Sequence, residues 1–486
     1  MRFGMQLKCF LLFVMILGLS ACAGKSDRLG LVENEATKTY AEAYAPARTA
    51  LQEGKAEELI NKIESKYYTE DGNKKSRDEI IEELVKNNSE LSILERGLLI
   101  LNAGDFERAL LYFDAGEMKM EQCEAESGMY KLGATISKGG IATLFGSEEV
   151  NDYVLRGYEK VMLLNYKALC YMLLGDRKAY NVTRRAIEKQ QEEWEKFKEL
   201  LVEFEEKQAK QADNQKKIAS EVNVDNRDEE IKKKAELVPN AYVNPFGDYM
   251  DALLLELDGI DDKSIRDNSI IAYKKVLENN KDCGTAKTAI KEVRRGVPKG
   301  KKLVHIILAD GFSPERKESV QGYQIDKLKA VVNFATATPI PSNVAGAKVI
   351  YTGGNQTFSS LSKMESIILR DDQDRLPFRT AMVTLALLRS GTASAFLGDL
   401  GVNIAATLQR PDTRSWLTLP NKVIVARFYV PNKTKNVTIQ TYDEKKRIMA
   451  QYAVDIAELG PTVVYAVSYE NQLKAFANKQ SWITNK

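Results

Sequence analysis

The sequence predicts a multidomain chain: an N-terminal all-α region of repeated helical hairpins, then a C-terminal α+β or β-sandwich-like domain with an inserted helical hairpin. Three observations predict it. From about Ala36 to Val297 apolar residues recur at helical spacing, interrupted by Gly-Asp turns. After Pro298-Lys299-Gly300 the texture changes to short β-rich runs separated by Gly, Pro, Asn and Asp. The 486 residues, 44% of them hydrophobic, are enough for several packed units.

The chain begins with a processing signal. Arg2 and Lys8 precede an apolar run from Phe10 to Leu19, which ends in Leu19-Ser20-Ala21-Cys22. The run is too short to span a bilayer, which needs about 20 apolar residues. This pattern resembles the lipobox of bacterial lipoproteins. The resemblance implies cleavage after residue 21, a diacylglyceryl thioether on Cys22, and acylation of the new amino terminus. At about 0.8 kcal/mol per buried methylene, such an anchor is close to permanent. Ala23 and Gly24 follow, not Asp, which resembles lipoproteins directed to the outer membrane. The expected location is the bacterial cell envelope, lipid-anchored at the outer membrane and facing the periplasm. Residues 22–36 would be the lipidated tether.

Composition narrows the function. The chain has 70 basic and 68 acidic residues, and losing Arg2 and Lys8 with the leader leaves 68 against 68. A neutral chain gives no electrostatic footprint for nucleic acid or for a polybasic membrane grip. Of the five cysteines, Cys123, Cys170 and Cys283 remain after Cys9 is removed and Cys22 is acylated, so at most one internal pair can form. The one histidine, His305, sits in the apolar run Leu303 to Leu308, a predicted strand, and reads as structural. Zinc sites built on several histidines are excluded, and no cofactor is expected.

Residues 37–190 read as repeats. In the stretch Leu91 to Met118, Gly97 and Ala109 let two antiparallel helices approach, Gly104-Asp105 turns the chain, and Phe113 fills the space. Ala168, Tyr171 and Gly175-Asp176 occupy equivalent positions in a second unit. These positions resemble the tetratricopeptide repeat. Tyr40 to Ile63 reads as a degenerate first hairpin. Phe246 to Leu257 with Ile265 to Leu277, within residues 240–297, reads as a further one. Stacked units of this kind need about three members to bury a continuous core. Residues 191–239 form a charged segment in which Trp194, Phe197, Leu201 and Phe204 recur at coiled-coil steps. That stripe is either a self-association face or a helix face packed on its own repeats. The Gly-rich stretch Gly133 to Gly146 lacks P-loop spacing and reads as a loop between repeats.

Residues 298–486 form the β-rich domain. Strands are predicted at Leu303 to Ala309, Ala330 to Ala335, Ala347 to Thr352, Val423 to Val430, Val437 to Tyr442 and Thr462 to Ser468. The mixed pattern of Val423 to Phe428 suits a strand covered on both faces. A helical hairpin is expected from Pro377 to about Leu408, with Asp371, Asp372 and Asp374 upstream favouring its dipole. Ser360-Leu361-Ser362-Lys363 matches S-x-x-K, but the companion S-D-N and K-T-G motifs are absent. In Asp412-Thr413-Arg414-Ser415-Trp416-Leu417-Thr418-Leu419-Pro420, Arg414 and Trp416 are either a partner-facing patch or a packed entry to the following strand.

Taken together, the lipobox at Cys22, the Gly175-Asp176 repeat and the string Asp412 to Pro420 resemble a family of bacterial repeat-containing lipoproteins. The resemblance brings no reaction and no catalytic residues. The expected function is a membrane-anchored adaptor or scaffold that binds envelope proteins, with no enzymatic activity. The alternatives are an envelope hydrolase using Ser360 and Lys363, or a structural subunit of an envelope or export complex associating through Trp194 to Phe204.

Overall fold

A computed structural model describes residues 39–64, 75–134, 153–211, 213–388, 411–479 and 482. The leader, Cys22 and the tether lie outside the described residues, as do residues 135–152 and 389–410. Most of the Gly-rich loop and the second part of the expected inserted hairpin therefore fall outside them.

The N-terminal region is helical. Helices α1 (Tyr40–Gln52) and α2 (Ala56–Glu64) form a first hairpin, and α3 (Arg77–Asn87) follows. Next come α4 (Glu90–Asn102) and α5 (Phe106–Ala134), then α6 (Gly157–Leu173) and α7 (Lys178–Ala209). Two short helices, α8 (Asp213–Glu221) and α9 (Glu229–Ala235), lead to α10 (Pro245–Asp258), α11 (Lys263–Asn279) and α12 (Gly284–Glu292). The helix starts are written locally. Thr39 with Glu42, and Ser76 with Glu79, each close a reciprocal capping box.

The hairpin turns explain two glycines. Gly104 and Gly175 have φ of +89° and +74°, a region that side chains resist. At Gly97 a Cβ would stand 3.0 Å from the Phe113 ring and 3.1 Å from Tyr112 Cβ, so the α4–α5 approach depends on its absence. Ala109, Phe113 and Ala168 are fully buried, and Tyr171 is nearly so.

The C-terminal region is α+β. Its centre is a five-stranded mixed sheet in the order β11-β10-β1-β7-β6. These strands are β1 (Lys301–Asp310), β6 (Ser359–Ser362), β7 (Lys422–Pro431), β10 (Thr462–Tyr469) and β11 (Gln472–Ala477). β1 runs parallel to β10 and antiparallel to β7, so it lies in the middle of the sheet. An antiparallel sheet, β5-β4-β8-β9, packs over one face. It comprises β4 (Gly346–Tyr351), β5 (Gly354–Thr357), β8 (Asn436–Tyr442) and β9 (Ile448–Asp455). β2 (Glu315–Ile325) and β3 (Leu328–Thr338) form a separate hairpin. Helix α13 (Met364–Asp374) and a helix α14 over 376–388 follow β6.

The central sheet is apolar on both faces. Val304, Ile306, Leu308, Ile424, Ala426, Phe428 and Val464 point into the sandwich with β4, β8 and β9. The alternate residues Leu303, Ile307, Val423, Val425, Val463, Tyr465 and Val467 join one continuous core with the helices. This accounts for the mixed pattern of β7. It also explains why every residue of α4 and α6 is buried. One side of each helix meets neighbouring helices, and the other meets the C-terminal region.

Candidate functional site

The string 412–419 is interior, and it is where the two regions are joined. Glu95 of α4 accepts from Leu417 N at 2.6 Å and Thr418 N at 3.1 Å, and also from the Thr418 hydroxyl. Glu159 of α6 accepts from Trp416 N at 2.9 Å and from Tyr153 and Arg156 on its own side. Two helix carboxylates thus satisfy three consecutive backbone amides of a segment with no strand partner there, which burial demands. Trp416 is 1% exposed, packs between Phe113 and Tyr166, and donates its indole N–H to Thr418. Arg414 forks onto Asp412 at 2.8 and 2.9 Å and lies over the Tyr153 ring. Both residues are spent inside the chain. The partner-facing reading of Arg414 and Trp416 is therefore corrected: their burial leaves no surface to offer. Burial pushes the Glu95 carboxyl up to about 7, against the pull of its hydrogen bonds, and raises Glu159 as well.

A second buried network ties α10 to the sheet. Arg427 of β7 holds Glu256 with Nε at 2.9 Å and a second nitrogen at 2.6 Å, and reaches Glu292 at 2.8 Å. Tyr273 donates to Glu256 at 2.7 Å. His305 Nε2 lies 3.3 Å from the same carboxylate, and its Nδ1 lies 3.1 Å from the Tyr249 hydroxyl. With the ring proton on Nε2, Nδ1 accepts from Tyr249 and the imidazole is neutral. Burial lowers its pKa, with Glu256 pulling the other way. Burial would raise the Glu256 carboxyl, but Arg427 and His305 outweigh it and hold it below the usual range. Among the described residues no serine or cysteine is hydrogen-bonded to His305. The imidazole fills a polar gap in the core.

Asp371 and Asp372 belong to a third network. They lie in the last turns of α13, immediately ahead of the start of α14 at 376, and arginine side chains take up their charge. Asp372 meets Arg316 at 3.0 Å and Arg379 at 3.2 Å, and accepts from Ala337 N at 2.7 Å. Asp371 pairs with Arg375 at 3.0 Å and with Arg156 of the helical region. Burial opposes ionisation of both carboxyls, but the arginines prevail and hold them low. Asp374 pairs with Arg370 at 2.7 Å. Each of these aspartates is thus paired with arginine.

Among the described residues the C-terminal region has an open cleft of about 1180 Å³. It runs between the start of α13, the chain before β4, the first residues of β7 and the β8–β9 turn. Lys234, Lys363, Lys422, Lys445 and Arg447 contribute cations, against the carboxylates Glu365, Asp443 and Glu444. Lys234 meets Glu365 at 3.2 Å and Arg447 meets Asp443 at 2.7 Å. Lys422 lies 3.5 Å from Asp310, which is wholly buried, accepts from Ser342 at 2.8 Å, and is raised by burial.

Ser360 and Lys363 both line this cleft, yet no hydrogen bond joins Ser360 Oγ to Lys363 Nζ among the described residues. Ser360 is on the edge strand β6, whose outer carbonyls accept from the Asn280 side chain at 2.9 and 2.8 Å. The segment is a capped edge strand rather than the start of a nucleophile helix. The four residues Trp194, Phe197, Leu201 and Phe204 lie on the unbroken helix α7 and pack against Ala241, Tyr242, Phe378 and Ala381. The seam is thus covered within the chain. No disulfide joins Cys123, Cys170 and Cys283, and Cys170 and Cys283 are buried. Among the described residues no group of three or more His, Cys, Asp or Glu side chains is placed to hold a metal ion. No described helix is long and apolar enough to cross a membrane.

Sequence reasoning missed Glu95, Glu159, Glu256 and Arg427. The available signal was a Glu or Arg inside an otherwise apolar helix or strand, as in Leu91 to Leu101 and Val423 to Val430. It also missed the cleft, whose residues come from distant segments. No family model matches the chain, and neither a curated protein nor a solved structure matches it.

Proposed function

We propose that the chain is a lipid-anchored envelope protein that acts as a binding adaptor, with recognition in the cleft. The lipobox at Cys22 supports the anchor. Gly97 against Phe113, and the left-handed turns at Gly104 and Gly175, support the tetratricopeptide-like reading of the hairpins. The observation that carries the placement is the burial of α4 and α6 along their whole length. The inner face of the helical array is filled by the chain's own sheet and by the string at Trp416. It is not an open groove for a partner segment. The helices serve as a platform, and the cleft remains as the concave polar surface.

The hydrolase reading has one observation in its favour, the presence of Ser360 and Lys363 in the cleft wall. It lacks the contact that would activate the serine. A covalent serine probe is expected not to label Ser360. Labelling that disappears in Ser360→Ala would revive that reading.

The adaptor reading is tested by photo-crosslinking in living cells. A photoreactive residue at Asn343, in the cleft wall, is compared with one at Ile271, which is 57% exposed on α11. The expected result is a defined envelope partner captured from position 343 and not from 271. Capture from 271 alone, or from neither, contradicts the placement.

A further inference from the structure

One end of the cleft is built like a receptor for a negative group. Helix α13, eleven residues long, begins there, and Lys363, Glu365 and Ser366 of its first turn line the wall. Lys363 at the N-cap gives the helix no side-chain cap, and the Glu365 amide is taken by the Asn421 carbonyl. A helix start concentrates partial positive charge and unused N–H groups, which favours an anion.

A second observation points the same way. Ser366 is 3% exposed, lines the cleft, and its hydroxyl has no hydrogen-bond partner among the described residues. A helical serine ordinarily turns its hydroxyl back onto the preceding turn. This one does not. Asn421, 9% exposed and in the same wall, likewise has a side-chain amide without a partner. Polar groups on a cavity wall that bond no other part of the chain are free to bond a ligand there. The charges around them agree. Glu365 is neutralised by Lys234, whereas Lys363 has no carboxylate partner among the described residues. At the far end Arg447 is held by Asp443.

We propose that this end of the cleft is an oxyanion subsite. A carboxylate or phosphate of the ligand sits at the α13 N-terminus, accepts from the Ser366 hydroxyl and the Asn421 amide, and faces the Lys363 ammonium. The inference rests on the reading of the cleft as the recognition site, and it supplies the chemistry of what is recognised: a polar ligand ending in, or carrying, a single exposed anion.

Calorimetric titration of the full-length detergent-purified protein with inorganic phosphate, and separately with acetate, tests it at low ionic strength. At least one anion is expected to bind. Lys363→Gln and Ser366→Ala are each expected to weaken it about tenfold or more. Lys62→Gln, in the groove between α1 and α2, is expected to change nothing. A clear preference for phosphate assigns the subsite to a phosphorylated ligand, and equal binding assigns it to a carboxylate. Unfolding temperatures without anion check that the variants fold, and Lys363, at the helix cap and only half-buried, keeps the test valid if Ser366→Ala is unstable. Binding unchanged by Lys363→Gln, or no binding of either anion, overturns the subsite. A partner crosslinked from Asn343 without anion binding would sink the subsite alone. Anion binding without a crosslinked partner would sink the adaptor reading alone.

Discussion

Arg427 and Glu256 show how a buried charge is made tolerable. Each is nearly inaccessible, and their fork, with Tyr273 and His305, satisfies both sides of the pair. Removing one partner leaves the other uncompensated in the core. Arg427→Met is therefore expected to cost about 3–5 kcal/mol, and the double change Arg427→Met with Glu256→Met much less than two such losses. Chemical denaturation of the two variants checks this. Glu90 and Glu95 set a pH dependence of the opposite kind. Burial raises both carboxyls from 4.5 to about 7. Between those values the native chain binds more protons than the unfolded one, so stability falls as pH rises through that window. Asp372 and Glu256 are held low, so their contribution is present above the ordinary carboxylate value and is lost as pH drops below it. The unfolding temperature is expected to peak near about pH 5, and Glu95→Gln to flatten the decline toward neutrality. A profile unchanged by Glu95→Gln would contradict the role given to that carboxyl.

At the scale of elements, the string 412–419 behaves as a wedge rather than a loop. Its amides are held by two helices, and its Trp side chain fills an aromatic pocket. Trp416→Ala is expected to destabilise the protein by about 3–5 kcal/mol, as for other fully buried aromatics. Denaturant midpoints measure this directly. Helix α7 gives a cleaner discrimination between two readings of one stripe. If Leu201 packs only within the chain, Leu201→Asp lowers stability by about 1–3 kcal/mol and leaves the solution mass unchanged. A fall in mass by light scattering would restore the self-association reading. Much of this layer was legible. The hairpins at Leu91 to Met118 and Phe246 to Leu277 carry the period and turn chemistry that helices require, and six strands announce themselves by β-branched runs. β2 and β9 did not, because their exposed faces are polar and break the run. β6 hid inside a four-residue motif that suggested a different story.

The whole molecule is not two bodies joined by a linker. Asn102 of α4 bonds both Tyr465 and Tyr469 of β10, and Thr285 of α12 bonds the Val425 carbonyl of β7. One apolar cluster runs from Tyr40 to Trp482. The change from helix to strand near Pro298 was readable in sequence because the local periodicity changes there. The shared core was not, because inward-facing residues of helix and sheet look alike until they are paired. Nor was the cleft, which is assembled from α13, β7 and the β8–β9 turn at long sequence separation. The most direct measurement is native-state hydrogen exchange, comparing amides of α6 with those of β7. If the helical face is filled by the sheet, both open only by global unfolding, with free energies within about 1 kcal/mol of each other. If α6 keeps its protection while β7 opens several kcal/mol sooner, the inner face is separable from the sheet, and placing recognition in the cleft would lose its ground.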